Sequence, residues 1–169
     1  SHEKRMDYHM CINIRPIKEF DNDLIHDLWR NNKVRKYLGG SICSDKDIDF
    51  ILLKMITPKN IDDKYFVIEY SNSKCGLVSI DKYNETEEKE LSFQFLPLFW
   101  GKGIAYNSIK LILNKAKKEM NIRKIFAETQ EKNERSRNLL KRLGMVEKER
   151  LIRFEEKQVV YELDLGNFV

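Results

Sequence analysis

The most constraining feature of the sequence is a strand-like run that passes through a glycine-containing turn into a long helical pattern. Residues 91–96 have the composition of a strand, and apolar residues three or four apart predict a helix over residues 103–120. The turn between them contains Gly101 and Gly103. Backbone N–H groups at the start of a helix lack partners within it and lie at the positive end of its dipole, and glycine has no Cβ to keep an anion away. The turn is therefore suited to a pyrophosphate.

A glycine pair before a helix has more than one explanation. Glycines are common in strand–helix turns for steric reasons alone, and Lys102 is either a phosphate ligand or an exposed, solvated side chain. The spacing excludes two known phosphate motifs, because the turn matches neither the Walker A pattern GxxxxGK[ST] nor the dinucleotide pattern GxGxxG. Taken alone, the turn leaves phosphate binding as one of two alternatives.

Strand and helix patterns alternate along the rest of the chain. Predicted strands occupy residues 11–15, 65–70, 76–80, 91–96, 124–129, 145–154 and 159–165, and predicted helices occupy residues 21–38, 44–57, 103–120 and 133–143. Ser44 and Asn133 are suitable helix N-caps, and Gly144 is a natural helix stop. This order predicts a single α/β (α+β) domain in which helices flank a mixed sheet.

Composition argues against several classes of protein. The 169 residues suffice for one domain but not two; residues 1–9, which begin with the tag-like Ser1-His2, are predicted to be an extension to a domain spanning 10–169. The sequence has no signal-peptide pattern, and it has no apolar run of the about 20 residues that are needed to span a membrane. The net charge of +4 is too diffuse to indicate nucleic acid. Cys11, Cys43 and Cys75 form no CxxC pair, which argues against disulfides or a metal site and favours a cytoplasmic setting.

The turn also resembles a known motif. Trp100-Gly101-Lys102-Gly103-Ile104-Ala105 resembles the acyl-CoA pyrophosphate loop, [R/Q]xxGx[G/A], of the GNAT N-acetyltransferases. The tryptophan in its first place, with Pro97 three residues earlier, is similar to the version found in the RimJ/RimL-like branch. Other segments resemble the family in the same order along the chain: residues 12–16, 32–39, 75–78, Glu90, 133–136 and 143–145.

The resemblance implies a fold, a co-substrate and a binding site. The sheet would be mostly antiparallel, with two central parallel strands, at 91–96 and 124–129, that splay apart around the pantetheine arm of acetyl-CoA, the co-substrate. The acetyl group would move to a primary amine of a protein N-terminus or a small molecule, in a monomer or homodimer; the alternative is a non-catalytic acyl-CoA-binding module. The residues that would bind the cofactor are Phe95, Leu96, Trp100, Gly101, Lys102, Gly103, Ile104, Ala105, Asn133 and Ser136.

The implied reaction needs a base for the amine proton and, in many GNAT enzymes, an acid for the departing thiolate. Glu90 is the candidate base, although it also ends an acidic run and could be a solvated carboxylate. Many members use a tyrosine as the acid, and Leu140 occupies that place, so Ser136 is either the substitute or a helix-capping hydroxyl. Asn133 is a cofactor ligand, an N-cap, or both. Family topology also places Tyr83 on the acceptor side.

Overall fold

A computed structural model describes residues 11–168. The extension predicted at residues 1–9 lies outside the described residues. The strands within the described range are β1 (Ile12–Pro16), β2 (Lys64–Tyr70), β3 (Ser73–Lys82), β4 (Lys89–Phe95), β5 (Lys124–Gln130), β6 (Val146–Arg153) and β7 (Glu156–Asp164). The helices are α1 (Asn22–Arg30), α2 (Asn32–Arg35), α3 (Asp45–Ile56), α4 (Ile104–Glu119) and α5 (Glu134–Arg142). None of the helices among residues 11–168 has the length and apolar character needed to cross a bilayer.

The strands form one mixed sheet in the order β1-β2-β3-β4-β5-β7-β6. β4 and β5 run parallel, whereas β1 with β2, β5 with β7 and β7 with β6 are antiparallel. The predicted mixed, mostly antiparallel sheet with two parallel central strands is therefore confirmed. The C-terminal strands β6 and β7 form a hairpin. β7 pairs with β5, and β6 lies at the edge of the sheet.

The described chain divides into two compact units. Unit 1 comprises residues up to 79 together with 93–108. Its core contains the apolar residues that helical spacing predicted on α1 and α3, packed with buried residues of β2 and β3: Leu24, Ile25, Leu28, Trp29, Ile48, Leu52, Met55, Val67 and Leu77. Ser44 caps α3 as predicted, since its side chain accepts a hydrogen bond from the N–H of Asp47.

The helix predicted over residues 21–38 is interrupted. α1 ends at Arg30, and the next residue, Asn31, has an extended backbone conformation. The Oδ1 atom of Asn31 accepts hydrogen bonds from Lys33 N at 2.9 Å and Val34 N at 3.0 Å, which caps the short helix α2. The prediction of one continuous helix was wrong because asparagine offered the backbone a local partner that favours a new helix start.

Unit 2 comprises residues 80–92 together with those from 109 onward. The predicted apolar stripe of α4 is buried at Ile109, Ile112 and Ala116. Helix α5 ends at the predicted stop, where Gly144 has a φ of 93° and Met145 N donates to Leu140 O at 3.0 Å.

Candidate active site

The predicted site residues fall into two groups, which the two units contain separately. The glycine-containing loop with Phe95 and Leu96 belongs to unit 1, whereas Glu90, Asn133 and Ser136 belong to unit 2. Among residues 11–168, no group of His, Cys, Asp and Glu side chains is arranged to hold a metal ion.

In the loop, both glycines have backbone conformations that other residues rarely adopt. The φ angles are 73° at Gly101 and 78° at Gly103, in the left-handed region that favours glycine. A Cβ at Gly101 would meet no atom within 4 Å, so the space beside this residue is open. The glycines are thus required by the turn itself, and the turn leaves room for an anion beside the backbone.

The side chains of the loop are directed to different surroundings. Lys102 is exposed, as expected for a solvated lysine, whereas the side chain of Ile104 is completely buried. A ligand at this helix start would therefore meet the backbone N–H group of Ile104 rather than its side chain. The backbone role that the resemblance implies for the loop remains a prediction.

A side-chain hydrogen bond of Trp100 connects the start of the loop to the end of β4. Its indole Nε1 donates to the carbonyl oxygen of Phe95 at 2.7 Å, and its ring packs against the core of unit 1. The N–H of Leu96 donates to the carbonyl oxygen of Cys75 at 2.9 Å. Phe95 O and Leu96 N thus have partners within the protein, and tryptophan in the first place of the motif acts as an anchor.

The ring of Phe95 lies directly against Gly76. A Cβ at Gly76 would be 2.3 Å from Phe95 Cδ1 and 2.8 Å from the backbone oxygen of Gln94, closer than atoms can approach. Glycine on β3 therefore permits the close approach of β4 just before the loop.

In unit 2, Glu90 lies where the parallel pairing of the two central strands ends. The register pairs Lys89 with Ile125 and Glu90 with Phe126, and within this unit it extends no further along β4. Glu90 is half-buried on a strand, whereas the acidic loop residues 85–88 before it are exposed. Glu90 is therefore not simply one member of a solvated acidic run.

The surroundings of Glu90 disfavour its charged form. Burial raises the pKa of Glu90 to about 8, with further contributions from the negative charges of Asp81 and Glu128 and partial opposition from Arg153. A carboxyl group that titrates near neutral pH can both accept and release a proton under physiological conditions. Its role as the base remains a prediction that this property supports.

A hydrogen-bonded network lies on the same sheet face as Glu90. Phe126 is opposite Glu90 and Glu128 is two residues further along β5, so the three side chains share one face. The Glu128 carboxylate accepts from Tyr83 Oη at 2.7 Å and from Arg153 Nε at 2.8 Å. Burial, followed by the hydrogen bond to Glu128, raises the pKa of Tyr83 to about 12, so its hydroxyl remains protonated.

The sequence analysis placed Tyr83 on the acceptor side but did not identify Glu128 or Arg153. Both are charged residues within predicted strands. The alternation of side chains along a strand shows which residues share a face, but it does not show which residues of a neighbouring strand lie beside them. The only available signal was that Glu128 interrupts an otherwise apolar strand start at residues 125–127.

The start of α5 contains the remaining candidates. The Oδ1 atom of Asn133 accepts from Ser136 N at 3.2 Å, so Asn133 is an N-cap, and Ser136 is half-buried in the first turn of the helix. Leu140 is only 1% exposed and belongs to the core. The cap on this helix is thus the Asn133 side chain rather than the Ser136 hydroxyl, and the roles of both residues toward a cofactor remain predictions.

Comparison with known proteins identifies the family. The model of the acetyltransferase (GNAT) domain matches residues 12–146. The spermidine N(1)-acetyltransferase of Escherichia coli K12 is 26% identical over 137 residues, which cover 79% of this chain and 72% of the relative.

Two solved structures show the same fold. The spermidine N-acetyltransferase of Vibrio cholerae, in complex with CoA and spermine, superposes with a TM-score of 0.81 at 20% identity, covering 93% of this chain and 97% of that one. The ribosomal-protein-S5-alanine acetyltransferase of Vibrio fischeri superposes with a TM-score of 0.78 at 18% identity, covering 94% and 96%. With the family match spanning most of its length, the chain belongs to the GNAT family of acetyl-CoA-dependent N-acetyltransferases.

Proposed function

We propose that this chain transfers an acetyl group from acetyl-CoA to a primary amine of a small polyamine, with Glu90 as the base. The observation that carries the proposal is the half-buried carboxyl group of Glu90, whose pKa is raised to about 8 at the point where the pairing of β4 and β5 ends. A polyamine is mostly protonated at neutral pH, and only a neutral amine can attack a thioester. A base that titrates near neutrality is suited to that deprotonation.

The glycine loop is assigned to the diphosphate of the co-substrate. The open space beside Gly101 and the helix start at Ile104 fit a diphosphate, because unpaired N–H groups and the helix dipole both favour negative charge there. Acetyl-CoA supplies the acetyl group as an activated thioester. The backbone N–H groups of residues 101–105 would hold its diphosphate, and Asn133 and Ser136 are further candidate contacts.

No tyrosine is available in the place where many family members have their acid. Leu140 occupies that place and is buried, so it neither donates a proton nor faces solvent. Ser136 is the candidate donor to the departing thiolate. An unassisted departure is also chemically reasonable, because a thiol with a pKa of about 8.5 is a fair leaving group near neutral pH.

The acceptor proposed is a small polyamine rather than a peptide. Relatives named as spermidine acetyltransferases support this choice, as do the carboxylates of Asp81 and Glu128, which make the surroundings of the base negative. Negative charge attracts a polycation, and the raised pKa of Glu90 reflects the same field.

A protein N-terminus is the second candidate acceptor. Trp100 and Pro97 resemble the RimJ/RimL-like version of the loop, and the fold of a ribosomal-protein acetyltransferase is similar. We place the reaction in the cytoplasm, which is consistent with three free cysteines within the described residues.

The test is release of free CoA thiol from acetyl-CoA with a panel of spermidine, spermine, aminoglycosides and peptides with free N-termini. Turnover on spermidine but not on peptides is expected. Turnover on peptides alone would replace the polyamine with the second candidate. Tight CoA binding without turnover on any amine would favour a non-catalytic acyl-CoA-binding module.

A further inference from the structure

The carbonyl oxygen of Gly103 accepts two hydrogen bonds from the same residue. Asn107, in the second turn of α4, donates its backbone N–H at 3.0 Å and its side-chain Nδ2 at 2.8 Å. The backbone bond is the ordinary bond of a helix. The side-chain bond is additional, and the opposite orientation of the amide would bring two oxygens together, so this contact fixes which atom is the nitrogen.

This contact determines the direction of a neighbouring N–H group. A trans peptide is planar, so the N–H of Ile104 points opposite to the C=O of Gly103. Because Asn107 holds the carbonyl toward the body of the helix, the N–H of Ile104 is held toward the loop. Glycine has more backbone freedom than other residues, so the side-chain bond is a second restraint, beside the backbone bond of the helix, on a peptide that is easily rotated.

The identities of the two residues fit each other. A Cβ at Gly103 would lie 3.3 Å from Asn107 Nδ2, a crowded distance at which the amide would have to shift away from its present position. Asparagine is less favourable than alanine inside a helix, by roughly 0.6 kcal/mol on common propensity scales. Its presence at this position is therefore not explained by helix formation.

We infer that Asn107 is a positioning residue for the co-substrate: its side chain fixes the Gly103–Ile104 peptide so that the Ile104 N–H faces the diphosphate. The inference rests on the proposed function, in which this loop binds the diphosphate. Asn107 itself does not touch the ligand. Its effect is confined to how well the loop donors are oriented before binding.

The experiment measures CoA affinity by calorimetry together with thermal stability. Asn107→Ala removes the contact and is expected to weaken CoA binding by about 3- to 10-fold, the range for one hydrogen bond of ordinary net strength. Tm should change little, because alanine's higher helix propensity offsets the lost bond. Asn107→Ser should recover most of the affinity, since a serine hydroxyl can donate to the carbonyl four residues earlier.

Two controls separate orientation of the loop from general damage. Asn114→Ala, an asparagine replacement on the same helix, should leave CoA affinity unchanged. S-acetylpantetheine lacks the diphosphate, so kcat/KM with this substrate should be the same for Asn107→Ala and the unmodified enzyme.

The outcomes distinguish this inference from the proposed function. Unchanged CoA affinity in Asn107→Ala, or an equal loss with S-acetylpantetheine, would overturn the positioning role. If Gly103→Ala also left CoA affinity unchanged, the assignment of the loop itself would be wrong. Weakened binding in Gly103→Ala with normal binding in Asn107→Ala would reject the positioning role alone.

Discussion

Replacing Glu90 with glutamine should remove activity and stabilise the protein, and both effects should depend on pH. With a pKa of about 8, about one tenth of the Glu90 side chains are ionised at pH 7 and about nine tenths at pH 9. The rate of an enzyme that needs this carboxylate should therefore rise roughly tenfold over that range. Glu90→Gln should lower kcat by about 10²- to 10⁴-fold and flatten the rise, as expected for loss of a base.

The effect on stability follows from the same pKa. The ordinary pKa of this carboxyl group is 4.5, and the folded state raises it to about 8. Below pH 4.5 the group is protonated whether the chain is folded or unfolded, and it does not lower the stability of the folded chain. As pH rises from 4.5 to 8, ionisation favours the unfolded chain, so stability is lost. At pH 7, which lies below the folded-state pKa, the stability lost corresponds to ~3 kcal/mol, and partial exposure reduces this to about 1–3 kcal/mol.

Glutamine carries no charge, so Glu90→Gln should recover that stability at neutral pH and not at pH 4. The expected gain in Tm at pH 7 is on the order of 2–10 °C for a chain of this size. The assay is thermal unfolding of both proteins from pH 4 to pH 9, with a pH–rate profile measured in parallel. Glu88→Gln is the matched control, since Glu88 is exposed in the preceding loop. A Tm difference that does not vary with pH, or an unaltered rate profile in Glu90→Gln, would refute the reasoning.

Three other substitutions test neighbouring features. Gly103→Ala, at a φ of 78°, should weaken CoA binding about tenfold or more in calorimetry, because alanine resists that conformation and crowds the loop. Gly76→Ala should lower the free energy of unfolding by about 1–3 kcal/mol in a denaturant titration, because its Cβ would overlap the ring of Phe95; an unchanged midpoint would show that the strands separate easily. Glu128→Gln should move the alkaline rise of the rate to lower pH, because it removes a charge that raises the pKa of Glu90; a shift to higher pH would contradict this account.

The structure agrees with the sequence at most of the positions where the signal was local. The caps at Ser44 and Asn133, the helix stop at Gly144 and the two glycines of the loop are each determined by the conformational limits of a few adjacent residues. The interruption of the first predicted helix at Asn31 was also local. It escaped prediction because the apolar spacing that indicated the helix ends at Trp29, and no glycine or proline marks a stop before Gly39.

The surroundings of Glu90 depended on tertiary structure. Sequence placed Glu90 at the start of a strand, but its pKa depends on burial and on Asp81 and Glu128, which lie on different strands. The pairing of Glu90 with Phe126 brings Glu128 onto the same face across 38 residues of sequence. Alternation along a strand fixes which side chains share its face, whereas the partner residue is fixed by hydrogen bonding between strands.

In the glycine-containing loop, too, some features could be predicted from the sequence and others only from the folded structure. Its glycines and the following helix were evident from the order of residues, because a left-handed turn and a helix start each require particular local chemistry. That Trp100 binds the carbonyl of Phe95 and that Asn107 binds the carbonyl of Gly103 became evident only in three dimensions. Side chains of these types can make many hydrogen bonds, and the folded backbone decides which carbonyl lies within reach.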